Sequence, residues 1–301
     1  MPELPEVETT RRALAPHVAG RRIAAVRVRR RDLREPVPRG LGRRLAGARV
    51  TGLDRRGKHL LLRTDRGTLI LHLGMSGSLR LVPAGTPAGP HEHLDLVLDD
   101  GRAVRLRDPR RFGLVLWTAG DPLAHPRLAG LGPEPFDRGL TGERLRARLA
   151  GRRAPVRNLL LDGRLLAGIG NIYANEALFL AGIHPACPGG ALDRAACTRL
   201  LRALRRVLRE SLRAGGTTLR DYVDGTGDPG RYALRLRVYG REGAPCPRCG
   251  AAIRRIVVGQ RSAFCCPRCQ RCPRRPRARG SARGGGRARR QSGSTRNVTG
   301  P

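Results

Sequence analysis

Two near-identical knuckles, Cys246-Pro-Arg-Cys249 and Cys266-Pro-Arg-Cys269, constrain the fold of this chain more than any other feature. Each Cys-x-x-Cys turn presents two thiolates, and the sixteen residues between the knuckles suit a four-cysteine tetrahedral zinc ribbon. Ile253 to Val258 and Ser262 to Phe264 are expected to form the two strands of the intervening hairpin. Cys265 and Cys272 permit shifted registers, but only Cys266 and Cys269 reproduce the first knuckle. Four thiolate ligands leave no open coordination position, so one structural Zn2+ is expected rather than a catalytic one. With five of the eight cysteines between Cys246 and Cys269, a metal site in a reducing compartment fits better than a disulfide framework.

The charge balance identifies a partner. Lys+Arg 60 against Asp+Glu 24 gives a net charge of +36, a field that attracts a polyanion, with nucleic acid foremost. No apolar run approaches the ~20 residues that span a bilayer, and no basic-then-apolar signal segment opens the chain. An intracellular, cytoplasmic and monomeric protein without membrane association is expected. Of the 60 basic residues only Lys58 is lysine. Coding bias accounts for so much arginine, yet the one retained amine also suits a position that needs a compact ammonium.

The 301 residues read as an α+β chain. Pro5 suits a first helical position, with Glu6 and Glu8 at the positive end of the helix dipole and a stop near Pro16 to Gly20. Short runs follow to about residue 118: Val26 and Val28, Leu60 to Leu62, Leu69 to Leu73, Leu79 and Leu81, Leu94 to Leu98, Val104 and Leu106, and Leu114 to Trp117. Their turn-bounded alternation predicts an antiparallel β-sandwich over residues 2–120. Residues 121–235 are expected to be helical, with helices at Thr141 to Leu149, Ala154 to Leu161 and Ala174 to Leu180. A long amphipathic helix capped by Asp193 completes this part and ends at Gly215-Gly216. Residues 236–270 form the zinc module. Residues 271–301, rich in Arg, Gly and Ser and without an acid, are expected to be a disordered phosphate-contacting tail.

A proline directly follows the initiator. Pro2 is either a plain helix start or, once Met1 is removed, a secondary amine able to attack a sugar C1′ and give an iminium ion. Glu3 beside it is placed to shuttle protons.

From residue 2 to about 270 the chain resembles the formamidopyrimidine-DNA glycosylases. The likeness rests on Pro2-Glu-Leu-Pro-Glu-Val-Glu-Thr9, Arg56-Gly-Lys-His-Leu-Leu61, His72-Leu-Gly-Met-Ser-Gly77 and Asp108-Pro-Arg-Arg-Phe-Gly113. It continues through Gly168-Ile-Gly-Asn-Ile-Tyr173, Gly216-Thr-Thr-Leu219, Val238-Tyr-Gly-Arg241 and the cysteine knuckles. The resemblance implies a β-sandwich, a helix-two-turn-helix lobe and a zinc hairpin, with duplex DNA containing oxidised bases held in a cleft. It assigns Pro2 as nucleophile, Glu3 as general acid/base and Lys58 as the phosphate-neutralising amine.

Met75, Arg110 and Phe112 would fill the hole left by an extruded base, thioether and phenyl as wedges and Arg on the orphaned cytosine. Taken singly, Met75 and Phe112 would also suit a core. Asn171 would hold a phosphate or cap a helix, and Arg157 stands where the family usually has a phosphate-contacting lysine. Arg261 at the hairpin tip can reach a groove or remain solvated. Glu6, Thr217, Thr218 and Tyr222 resemble the lesion pocket and its covering loop. His72 reads as support for the site, or as a satisfied buried imidazole. His91 and His93 read as a surface or DNA-facing edge rather than a second metal site.

Two alternatives stay open. An endonuclease VIII-like enzyme shares Pro2, Glu3 and the zinc module but prefers oxidised pyrimidines, and Leu4 with the Met75/Arg110/Phe112 set argues for the purine branch. A catalytically silent DNA-binding protein would use only the ribbon and the basic tail.

Overall fold

The first turn of helix α1 (Leu4–Val18) is organised by acids: Glu3 is the N-cap residue, and its backbone N–H donates to Glu6 Oε2 at 2.8 Å. The structure, a computed structural model, describes residues 1–217, 232–273 and 300. After α1 come β1 (Ile23–Val28), α2 (Leu41–Leu45), β2 (Val50–Arg56), β3 (His59–Thr64) and β4 (Gly67–His72). β5 (Ser78–Pro83), β6 (Glu92–Leu98), β7 (Arg102–Arg107) and β8 (Leu114–Thr118) follow. They form two four-stranded antiparallel sheets, ordered β1-β6-β7-β5 and β2-β3-β4-β8.

Leu60, Leu62, Leu69 and Leu71 of the second sheet pack in one core with Leu94, Leu96, Leu98, Val104 and Leu106 of the first. The other side chains of the second sheet, Leu61, Ile70, Leu114 and Leu116, cluster with Leu128. A sheet covered on both faces reads as continuous apolar runs, which is why Leu60 to Leu62 and Leu69 to Leu73 do not alternate. β2 escapes sequence reading for the opposite reason. Only Val50 and Leu53 of that strand are fully buried, so Asp54, Arg55 and Arg56 give it a polar signature.

Beyond α3 (Pro126–Ala129) lie α4 (Gly142–Leu149), α5 (Val156–Leu161), α6 (Asn171–Ala181) and α7 (Arg194–Arg213). Asp193 caps α7 through Oδ1, which accepts from Ala196 N at 2.6 Å. Leu200, Leu204, Val207 and Leu208 face a separate core with Leu145, Leu160, Tyr173 and Leu178. Among the described residues no helix is long and apolar enough to cross a membrane.

The Cys-rich module, with hairpin strands β9 (Arg254–Val258) and β10 (Arg261–Cys265), docks on α6. Glu176 of α6, fully buried, accepts the backbone N–H groups of Arg237, Val238 and Tyr239. Asn175 Oδ1 accepts from Phe264 N at 2.8 Å, and Tyr239 packs edge-on against Phe264.

Two expectations need correction here. The chain past the ribbon is not free from Arg271 on: Arg271 N donates to Gly182 O and its carbonyl accepts from His184 N. Cys272 then forms a disulfide with Cys187, Cα–Cα 5.2 Å, so the cysteines supply a covalent link in addition to the metal cluster. The α6 stop at Gly182, in left-handed conformation, lays residues 183–187 along residues 271 and 272 and brings the two thiols together. The basic stretch 274–299 lies outside the described residues.

Candidate active site

The glycine motif before α6 forms the floor of the site. Gly168 (φ +92) offers its carbonyl to Leu4 N at 3.0 Å, so α1 starts against this turn. The Glu3 carboxylate, 2% exposed, accepts from Gly170 N at 2.8 Å and Ile172 N at 3.0 Å at the positive end of α6. A Cβ on Gly170 would stand 2.3 Å from Glu3 Cδ, so this approach requires glycine. Burial holds the Glu3 pKa above its ordinary value, opposed by Lys58 and the two amide donors. Gly170→Ala would push the Glu3 carboxylate off these two amide donors.

Glu6 lies behind Glu3. Its carboxylate accepts from Glu3 N, from the Tyr173 hydroxyl and from Thr217 N at 2.8 Å, joining α1, α6 and Thr217 beyond α7. Tyr173 OH also meets Ser211 Oγ and Thr217 Oγ1. Burial, reinforced by the Glu3 charge, raises the Glu6 pKa from 4.5 to about 7. A native pKa above the unfolded one means that the stabilisation from the protonated form is complete below pH 4.5 and is lost as pH rises through about 7. Relative to Glu6→Gln, the wild type should lose about 3 kcal/mol of unfolding free energy over that window, read by urea titration. A pH-independent difference would show that Glu6 is ionised throughout.

Lys58 is at the tip of the β2–β3 hairpin, where Arg56 pairs with His59. Sequence reading missed what holds this tip. Glu134 accepts from Gly57 N at 2.7 Å and grips Arg55 bidentately at 2.9 and 2.6 Å, while Arg56 donates to Leu131 O and Gly132 O. Arg55 also reaches Glu8, whose burial is outweighed by Arg11 and Arg12, so its pKa falls to about 2. Lys58 thus stands on a fixed turn. Burial lowers its pKa, and the charges of Glu3 and Glu6 oppose that shift. The N-terminal amine lies in the fields of Glu3, Glu6, Lys58 and Arg110, and burial lowers its pKa as well. Glu3, Lys58 and the Met1 amine, one residue before Pro2, therefore lie within one another's electrostatic reach.

Next to them two loops touch backbone to backbone. A Cβ on Gly74 (φ +61) would stand 2.5 Å from Phe112 C, and Gly113 N donates to the buried Asp108 Oδ2 at 2.7 Å. The loops so joined carry Met75 and Phe112 into solvent, 39% and 44% exposed, with the Arg110 guanidinium 4.9 Å from the Phe112 ring centre. Neither side chain is core, which settles the choice left by the sequence. His72 braces the first loop: Nδ1 accepts from Gly74 N at 2.9 Å, and burial, then His59, lower its pKa to about 3, so the ring is neutral. His93 corrects the expectation of a surface edge. It is 6% exposed, and its Nε2 meets Asp108 O at 2.9 Å, bracing the second loop from inside.

Asn171 is the first residue of α6, with Gly170 as its cap, and its Nδ2 donates to Ser262 O of the hairpin at 3.2 Å. Arg157, expected at a phosphate, is 1% exposed and faces the same hairpin. Arg261 is exposed, and its charge reaches both Lys58 and Arg157. Thr218 and Tyr222 lie outside the described residues.

The four expected zinc ligands, Cys246, Cys249, Cys266 and Cys269, have Sγ atoms within 4.8 Å of one another. Pairs at 3.9 Å (Cys246, Cys269) and 3.5 Å (Cys249, Cys266) match the edge of about 3.8 Å that a tetrahedron with Zn–S of 2.3 Å requires. Arg248 N and Cys269 N point at Cys246 and Cys266 sulfurs, both at 3.4 Å. Cys265 instead faces His184, which removes the shifted registers. The cluster fits one structural zinc.

Residues 1–115 match the model of the formamidopyrimidine-DNA glycosylase N-terminal domain, 131–223 that of the H2TH domain of the same enzymes, and 243–271 the zinc finger found in FPG and IleRS. The chain belongs to the formamidopyrimidine-DNA glycosylase family. A formamidopyrimidine-DNA glycosylase of Methylococcus capsulatus is 55% identical over 271 residues, 90% of this chain and 100% of its relative. The crystal structure of a Lactococcus lactis FPG variant in complex with Fapy-dG-containing DNA superposes with a TM-score of 0.83 at 33% identity, covering 89% of this chain and 99% of that one. That of the Thermus thermophilus protein gives 0.79 at 40% identity, covering 89% and 98%. As a formamidopyrimidine-DNA glycosylase family member, the chain holds its site together partly through residues that no local motif singled out. Glu134 and Glu176 are buried or half-buried acids whose partners lie far along the chain.

Proposed function

We propose that this protein is a bifunctional DNA glycosylase and abasic-site lyase that removes 8-oxoguanine and formamidopyrimidines from duplex DNA. The observation that carries this reading is the enclosed Glu3 carboxylate at the N-terminal residues, with Lys58 beside it and the Met75/Arg110/Phe112 group exposed next to them. The Lactococcus lactis relative is found with Fapy-dG-containing DNA and also with oxidised-pyrimidine-containing DNA, so it supports a ring-opened purine as one substrate while the purine preference rests on Leu4 and the Met75/Arg110/Phe112 set. The protein would act as a monomer where the chromosomal DNA is, in the cytoplasm.

In this reading Met75 and Phe112 enter the stack as the damaged nucleotide leaves it, and Arg110 meets the orphaned cytosine. The Pro2 amine, freed by removal of Met1, attacks C1′ while Glu3, whose burial raises its proton affinity, gives a proton to the sugar ring oxygen. The C1′–N glycosidic bond breaks and the base departs with the proton shed by the Pro2 nitrogen. The C1′–O4′ bond opens, and the sugar remains bound to Pro2 as an iminium ion, which acidifies C2′. Glu3, ionised by its earlier transfer, takes a C2′ proton as the 3′-phosphate leaves, a second elimination expels the 5′-phosphate, and water hydrolyses the iminium to free Pro2. Lys58 offsets phosphate charge through these steps. Thr217, Thr218, Tyr222 and Glu6 would enclose the extruded base, and Arg261 and Asn171 would hold the strand.

Borohydride trapping tests this directly. Duplexes carrying 8-oxoguanine opposite cytosine should give a covalent protein–DNA adduct and cleaved strand. Adduct mainly on oxidised pyrimidine would select the endonuclease VIII-like alternative, and binding without adduct on either would leave a DNA-binding protein only.

A further inference from the structure

The Arg157 side chain does something that a phosphate contact does not require. Its Nη1 donates to Val258 O at 3.1 Å and to Asn158 Oδ1 at 3.0 Å. Its Nη2 donates to Ser262 O at 2.9 Å and to Asn171 Oδ1 at 2.6 Å. One buried guanidinium thus connects α5, the first residue of α6 and both strands of the hairpin. The two carbonyls lie beside the hairpin tip: Val258 is the register partner of Arg261, and Ser262 is its neighbour. The tip is pressed down as well, since a Cβ on Gly259 would come within 2.8 Å of Asn158 Nδ2. A planar fork can serve acceptors on separate segments at once, whereas a single ammonium nitrogen cannot reach that spread.

We propose that Arg157 is a positioning residue that locks the hairpin tip to the start of α6 and so holds Arg261 and Asn171 in one strand-binding register. The proposal rests on the reading that this face binds DNA. It differs from a phosphate contact in acting through Arg261. Without the lock, the tip would keep its charge but lose its place.

The test uses the full-length, zinc-loaded protein and the variants Arg157→Lys, Arg157→Met, Arg261→Gln and Arg157→Lys/Arg261→Gln. Hydrogen exchange in the free protein reads the lock without DNA: amides of residues 254–265 should exchange about tenfold faster in either Arg157 variant, with α7 unaffected and zinc retained. Arg157→Met keeps buried aliphatic volume if Arg157→Lys folds poorly. Binding to a duplex with a stable abasic analogue reads the coupling. Arg261→Gln and Arg157→Lys should each weaken it by about tenfold, and the double variant should be no weaker than about threefold below the worse single. Unchanged exchange, or singles that multiply in the double variant, would overturn the lock. If Arg261→Gln alone binds as tightly as the wild type, the DNA-facing reading of the hairpin falls, and exchange alone decides whether Arg157 holds it.

Discussion

Protein that retains Met1 should form less than about 1% of the borohydride-trapped adduct formed by protein beginning at Pro2, because an acylated proline nitrogen has no lone pair to offer C1′. The loss should be one of chemistry and not of folding. Pro2 is buried, but Met1 is 41% exposed, so the extra residue fits without disturbing α1 or the Glu3 amide contacts. Duplex affinity should therefore change little, since Arg110, Asn171 and Arg261 are untouched. The two forms can be prepared by cleaving an N-terminal extension before either residue and verified by mass. The retained Met1 amine is itself near Glu3 and Lys58, with its pKa lowered by burial, which gives the experiment a sharp alternative outcome. Efficient trapping by the Met1 form would mean that any amine in this pocket suffices, and Pro2 would lose its special role. Trapping that depends instead on Lys58 would move the nucleophile to that residue.

What the sequence revealed of this fold and site follows physical locality. The zinc site was legible because its ligands sit in two short turns whose geometry is local, and the hairpin between them has its own alternation. The cap of α7 was legible for the same reason: Asp193 and Ala196 are three residues apart. Met75 and Phe112 were only half legible. Composition cannot distinguish an exposed wedge from a core residue, and what exposes them is the backbone contact of Gly74 with Phe112, between loops distant in sequence.

His93 and Arg157 were misplaced by a related limit. His93 read as a DNA-facing edge, and Arg157 as a phosphate contact through the family resemblance, but here each closes a backbone gap from within, at Asp108 O and at the hairpin carbonyls. Glu134 gave no local sign, because its partners Arg55 and Gly57 lie some eighty residues earlier. The Cys187–Cys272 link was hidden by the parity of the cysteines around the ribbon, where Cys272 read as a spare ligand.

Removing the zinc should unfold the hairpin module and leave the rest standing, which makes metal loss the second large effect. The module's buried apolar cluster is small, Val238, Ile253 and the cysteines Cys246 and Cys266 against Phe179 of α6. Such a cluster cannot offset about 1.5 kcal/mol of conformational entropy per ordered residue, whereas a structural zinc contributes roughly 10 kcal/mol or more. Chelation, or Cys266→Ser, should therefore release residues 245–270 while the sandwich core, which shares no residue with this cluster, and the helical core, which meets it through Leu180, melt nearly as before.

Affinity for abasic-analogue duplex should fall by about 100-fold, and the salt slope should become shallower by about one as Arg261 leaves the strand. The catalytic positions should stay assembled, because Glu3 is held by Gly170 and Ile172 and the Lys58 turn by Glu134, none of them in the module. Trapping at saturating protein should then persist at a reduced rate. Apo protein that binds DNA as tightly as the zinc form would remove the hairpin from the interface, while complete loss of trapping at saturation would show that the metal module supports the chemistry itself and not only the grip on DNA.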